Sequence, residues 1–210
     1  MRGYSNVLLD PSEVALCMID HEPQMFFGVE GKCRAGLINS VVGLTKVAKV
    51  FDIPIILSTV EANTFSGPLI KKVQDIFPEN KPIDRTTLNA WEDENFKSAV
   101  KKTGKKKLLI AGLWTEVCVA MPALSAIEDG YKVYVVADAC AGATKAAHKS
   151  AIMRMVSSGA KIVTWQAVLL EMQRDWANKE TYDSVMQVVQ ANGGTYGLGV
   201  EYANAMINKF

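Results

Sequence analysis

The strongest constraint on this chain is a repeated alternation. Short apolar runs are each followed by a stretch whose apolar residues recur at helical spacing. The runs are "VALCMID" (Val14 to Asp20), "PIILSTV" (Pro54 to Val60), "KPIDR" (Lys81 to Arg85), "KKLLIAG" (Lys106 to Gly112), "YKVYVVAD" (Tyr131 to Asp138) and "AKIVTW" (Ala160 to Trp165). Between the first two, Leu37, Val41, Leu44, Val47, Ala48 and Phe51 mark one face of a helix. "GPLIKKVQDIF", "DENFKSAVKKTG", "TEVCVAMPALSAIEDG" and "TKAAHKSAIMRMVSSG" fill the later intervals as helices, the last two closed by glycine. Strands that are apolar throughout, rather than alternately, are covered on both faces. The pattern therefore predicts an α/β fold: three layers, with a parallel six-stranded sheet between helices, doubly wound in the order 3-2-1-4-5-6.

The 210 residues suffice for one hydrophobic core. They read as a single domain, 1–210, with a core of about 14–176 and a helical extension over 177–210. "ANGGTYGLG" reads as a loop within that extension rather than a nucleotide-binding turn, because it does not join a strand to a helix in a βαβ unit. The formal net charge of +1 gives no reason to expect nucleic acid or an anionic membrane as a partner. The lysine cluster in "KKTGKKK" fits a solvated turn. No apolar stretch approaches the ~20 residues of a membrane span. The first residues lack the apolar core of a signal peptide. Four scattered cysteines without C-x-x-C spacing suit free thiols in a cytoplasmic protein.

In such sheets the chemistry sits beyond the carboxyl ends of the strands, near the point where strand order reverses. There the sequence supplies Asp20 after the first strand, Arg85 at the end of the third and Cys118 shortly after the fourth. Thr115 reads as an N-cap and Glu116 suits a helix start, so Cys118 falls in a first helical turn. Free N–H groups there favour a thiolate and could bind an oxyanion. A thiol, an acid to manage its proton and an oxyanion site form the minimum set for nucleophilic acyl transfer.

Three segments, "MIDHEPQMF", "DRTTLNAWEDENF" and "AGLWTEVCV", occur in the order found in the isochorismatase-like cysteine hydrolases. The chain resembles that superfamily from about Val14 to Trp176. Within it the likeness is greatest to the YcaC-type hydrolases, through "NAWEDENF", "TEVCVAMPALSAIEDGY" and "QRDWAN". The resemblance implies Asp20, Arg85 and Cys118 as the catalytic set. It also implies a cis peptide between Leu113 and Trp114, and an oxyanion site built from the N–H groups of Trp114 and Cys118. Arg85 stands where most of the superfamily has lysine. Arginine stays protonated, so its expected role is electrostatic. Gln24, Phe26, Asn89, Trp91, Trp114 and Thr115 flank the three segments and are candidate pocket walls, although core packing would explain the aromatics nearly as well.

The two histidines, His21 and His148, have no metal-ligand spacing, and a structural role suits them better than a Cys–His dyad. "STVEANTFSG" lacks the histidines with which nicotinamidases hold a metal, so neither metal nor cofactor is expected. The reading is a metal-independent cysteine hydrolase cleaving a small amide-like C–N bond through a thioester. A non-catalytic assembly or binding protein on the same fold is the alternative. Vinyl-ether hydrolysis is disfavoured by the cysteine. The resemblance also implies a homo-oligomer, a tetramer or octamer, and the apolar Tyr196, Leu198, Tyr202, Met206 and Ile207 of the C-terminal helices offer a packing surface.

Overall fold

A computed structural model describes residues 8–207. The first residues of the expected leader-free N-terminus and the last three of the C-terminal extension lie outside that range. Six parallel strands form one sheet in the order β3-β2-β1-β4-β5-β6. They are β1 (Val14–Ile19), β2 (Ile55–Val60), β3 (Ile83–Arg85), β4 (Lys107–Gly112), β5 (Lys132–Val136) and β6 (Lys161–Val163). Every residue of β1, β2 and β4 is buried, as continuous apolar runs in a doubly covered sheet require. β6 differs from the buried strand expected over "AKIVTW". It is three residues long, mostly exposed, and ends before Trp165, which opens a helix instead. It is an edge strand, paired on one side only.

The helices are α1 (Pro23–Phe27), α2 (Arg34–Val50), α3 (Lys71–Gln74), α4 (Glu94–Lys102), α5 (Ala120–Glu128), α6 (Lys145–Ser157), α7 (Trp165–Gln173), α8 (Lys179–Asn192) and α9 (Thr195–Ile207). α2 buries Leu37, Val41, Leu44, Val47 and Ala48, the stripe its spacing predicts. It packs against α7 and α8, and α9 packs on α8. The helix expected over "GPLIKKVQDIF" is a single turn. The glycine-rich "ANGGTYGLG" is mostly helical, divided between α8 and α9. Gly193 and Gly197 explain this: a Cβ on either would lie 2.5 Å from the Val189 carbonyl oxygen, so glycine lets α9 start tight against α8. Pro122 does not break α5, because the α-helical geometry begins at Ala120 and a first turn tolerates a missing N–H. Among the described residues, no helix is long and apolar enough to cross a membrane.

The switch point lies between β1 and β4, which run in register from Val14–Lys107 to Ile19–Gly112. Gly112 ends β4 against the backbone of β1, and a Cβ there would sit 2.6 Å from the Ile19 carbonyl oxygen and 3.1 Å from Val119. Backbone cannot yield as a flexible side chain does. Gly112→Ala is expected to cost about 1–3 kcal/mol of stability, read from the urea midpoint. An unchanged midpoint would show that β1 and β4 can separate freely at their ends.

Candidate active site

β1 stops at Ile19 and the chain turns sharply. Asp20 has φ +56, a left-handed conformation that aspartate tolerates better than most residues. Its N–H donates to the Ser58 carbonyl (2.9 Å), which pins the turn to β2. The carboxylate is wholly buried and meets Arg85 from the end of β3, two strands away. Arg85 Nη2 donates to both Asp20 oxygens, at 2.9 and 2.7 Å, and both side chains are fully shielded from solvent. Arg85 Nη1 donates to the Thr87 carbonyl. The guanidinium is thus turned inward onto one acid and one backbone oxygen.

Cys118 arrives from β4. After Gly112 the Leu113–Trp114 peptide bond is cis. Thr115–Val119 then forms a π-helical turn that runs into α5. Thr115 does not cap this turn. Trp114 is the capping residue, without a side-chain bond, while Thr115 Oγ1 lies 2.8 Å from His148 Nδ1 and Thr115 N–H donates to Ala141. Trp114 is held by its ring: Nε1 donates to the Met25 carbonyl (3.1 Å), and the indole lies so close to Gly28 that a Cβ there would be 2.5 Å away. Glu116 accepts from Ala143 N–H at 2.8 Å, tying the π turn to the loop after β5.

Cys118 is 3% exposed, and its thiol is hydrogen-bonded to the Asp20 carboxylate. The thiolate expected of a helix start is not the resting state. Burial pushes the thiol up to about 12, and the Asp20 charge and hydrogen bond act in the same direction. Arg85 and the Trp114 backbone N–H pull it down by less. Burial also raises the Asp20 carboxyl, against the opposing influence of Arg85 and of the thiol. A raised carboxyl is a better base, so the cluster is arranged to pass a proton from sulfur to oxygen when something attracts the sulfur's electrons.

A second acid was not singled out in the sequence. Glu22, two residues after Asp20, is fully buried. Its Oε2 accepts from the Val60 N–H (3.1 Å) and its Oε1 has no partner. Burial raises its pKa to about 8, and the negative charges of Asp20 and Asp84 add to this against Arg85. Its place in "DHEP", two residues past the end of β1, carries no periodic signal that would mark it as buried.

A cavity of about 430 Å³ opens over Cys118. Met25, Val60, Phe65, Leu88, Trp114 and Val117 form most of its wall, with Glu61, Ser66 and Thr86 as its polar members. Of the expected wall residues, only Trp114 lines it. Gln24 is exposed, and Phe26 is buried against His21 with a ring separation of 6.1 Å. Asn89 caps a 3-10 turn through the Trp91 N–H, and the Trp91 ring donates to Asp129 (2.9 Å). Thr115 faces His148. None of these five borders the cavity, and Phe26, Asn89, Trp91 and Thr115 are taken up by contacts within the surrounding loops.

The histidines have structural partners. His21 Nε2 lies 3.0 Å from the Ala139 carbonyl, and His148 pairs with Thr115 rather than with Cys118. Burial lowers both to about 4, so neither carries charge at neutral pH.

An isochorismatase domain model matches residues 14–167. The probable hydrolase YcaC of Escherichia coli strain K12 is 42% identical over 173 residues, 82% of this chain and 83% of its own. The solved structure of YcaC from Pseudomonas aeruginosa superimposes with a TM-score of 0.91 at 33% identity, covering 96% of this chain and all of that one. The E. coli YcaC structure, described as an octameric hydrolase of unknown specificity, gives 0.90 at 37% identity over 97% of this chain and all of its own. Nicotinamidase from Bacillus subtilis shares the fold at 16% identity, with a TM-score of 0.63. With the family model spanning the sheet and all three strand-end residues, and a relative this similar over most of both chains, the chain belongs to the isochorismatase family.

Proposed function

We propose that this protein is a cysteine hydrolase that cleaves a small amide-like C–N bond through a thioester on Cys118. One observation carries the reading: thiol, carboxylate and guanidinium form a single buried chain, Cys118–Asp20–Arg85, at the floor of a cavity. The named relatives support a hydrolase, and the Pseudomonas aeruginosa structure contains covalent acrylamide, an electrophile that adds to nucleophilic side chains at its vinyl carbon.

In this mechanism a carbonyl approaches Cys118 as Asp20 takes the thiol proton. The S–C bond forms and the carbonyl electrons move to oxygen, where the backbone N–H groups of Trp114 and Cys118 receive the charge. The tetrahedral species collapses, the C–N bond breaks, and the amine leaves with the proton that Asp20 held. Water, deprotonated by Asp20, then attacks the thioester, and Cys118 recovers a proton as it departs. Arg85 holds Asp20 in place and balances its charge without itself exchanging a proton. One guanidinium serves two buried acids, and it is committed to Asp20, so Glu22 is carried as the neutral acid.

The test of the nucleophile is mass spectrometry of the intact protein after exposure to a panel of amides and hydroxamates. An acyl adduct on Cys118 is expected, with Cys118→Ala giving none. Asp20→Asn should slow acylation by roughly 10²- to 10⁴-fold. Retained turnover in Cys118→Ala, or a thiol that never acylates, would favour a non-catalytic protein or another hydrolytic route.

Glu22 yields a pH prediction. An acid whose pKa rises on folding binds its proton more tightly in the folded state, so its stabilising contribution is complete below the unfolded value and is lost as pH rises through the folded one. For Glu22 the window runs from 4.5 to about 8. Glu22→Gln should therefore gain in melting temperature relative to wild type across that window and level off above it. A difference independent of pH would place a charged Glu22 in the native state.

The homo-oligomer reading rests on α9, where Leu198, Tyr202 and Ile207 are each 65–71% exposed. Sedimentation should give a mass several times 22.9 kDa; a monomer would contradict it.

A further inference from the structure

The wall of the cavity over Cys118 also carries information about charge. Its apolar members come from separate parts of the chain: α1, the end of β2 and the loop after it, the loop after β3, and the π turn. No lysine, arginine or histidine borders it among the described residues. Arg85, the cation nearest the reacting sulfur, is sealed beneath the floor with its Nη2 on Asp20 and its Nη1 on Thr87. The ionisable side chain on the wall besides Cys118 is an acid, Glu61. Behind the wall, Asp20 is already paired with Arg85 and Glu22 is neutral, so neither offers a ligand a positive partner.

A ligand carboxylate in this cavity would lose water, find no cation and face Glu61, an acid of its own sign. Burying an unpaired charge costs several kcal/mol. An apolar group in the same place gains by leaving water. In the thioester mechanism the acyl part stays on Cys118 through both half-reactions while the amine leaves after the first. The acyl part is therefore what the wall must hold.

We propose that the substrate is a neutral amide with an apolar acyl group, aliphatic or aromatic, and that amides bearing a second, anionic group are rejected. This rests on Cys118 as the nucleophile. The volume, near the lower end of small-molecule sites, limits the acyl group to a short chain or a single ring.

The test separates selectivity from turnover by using irreversible alkylation. 2-Bromohexanamide and 6-amino-5-bromo-6-oxohexanoate share a reactive group and an acyl chain length but differ in charge at the end of that chain. Their rates at Cys118 are followed by peptide mass spectrometry, normalised to their rates with N-acetylcysteine. The exposed Cys33 in the same sample reports that each reagent is active. The neutral reagent is expected to label Cys118 at least about 30-fold faster, given the cost of an unpaired buried charge. Leu88→Arg places a cation on the wall at a side chain that is 59% exposed, where the fold tolerates it. It should narrow that ratio by about tenfold. Equal rates, or faster labelling by the anionic reagent, would overturn the charge selectivity while leaving Cys118 as a nucleophile. Labelling of Cys33 but not of Cys118 by either reagent would remove the nucleophile reading and the selectivity with it.

Discussion

The site depends on a buried ion pair between the ends of two strands that are not neighbours. Arg85 on β3 and Asp20 after β1 meet across β2 with no solvent access, so neither charge is tolerable without the other. Their union fixes where the Asp20 carboxylate points, and the Cys118 thiol is hydrogen-bonded to that carboxylate. The φ of +56 at Asp20, the close contact of Gly112 with β1 and the π turn carrying Cys118 all serve this one meeting point. Doubly wound topology brings it about, because β1 and β4 are adjacent only where strand order reverses.

The ion pair also decides the protonation of the cluster. Its single cation is used by Asp20, so the nearby Glu22 is left with the Val60 N–H and no counter-charge. Burial above all keeps Cys118 a thiol. Burial and the Asp20 charge together outweigh Arg85 and the Trp114 N–H. A site so arranged stores no free thiolate. In the proposed mechanism a thiolate forms only as a bound carbonyl accepts the sulfur's electrons.

Much of this was legible in the sequence. Apolar runs and helical stripes identify the sheet and its order, because residues buried on both faces leave little choice of composition. Asp20, Arg85 and Cys118 could be found because each closes or follows a strand. The cavity wall could not. Phe65, Ser66, Thr86 and Leu88 lie in loops without periodicity, and their convergence on Cys118 depends on tertiary packing. Asn89 and Trp91 stand in a motif beside Arg85, yet their polar atoms are consumed by a turn and by Asp129. Thr115 has the chemistry of an N-cap, but the widened π turn and His148 claim it first. Glu22 was hidden because it lies in a connection after β1, where burial leaves no periodic pattern.

The central claim is that Cys118 rests as a thiol bonded to Asp20 and ionises only in reaction. Its titration is the most direct measurement, read as the difference in ultraviolet thiolate absorbance between wild type and Cys118→Ala across the pH range in which the protein stays folded. The account predicts no thiolate from Cys118 at or below the ordinary thiol value of 9.0, with ionisation displaced toward about 12. A titration below 9.0 would show a preformed thiolate and contradict it.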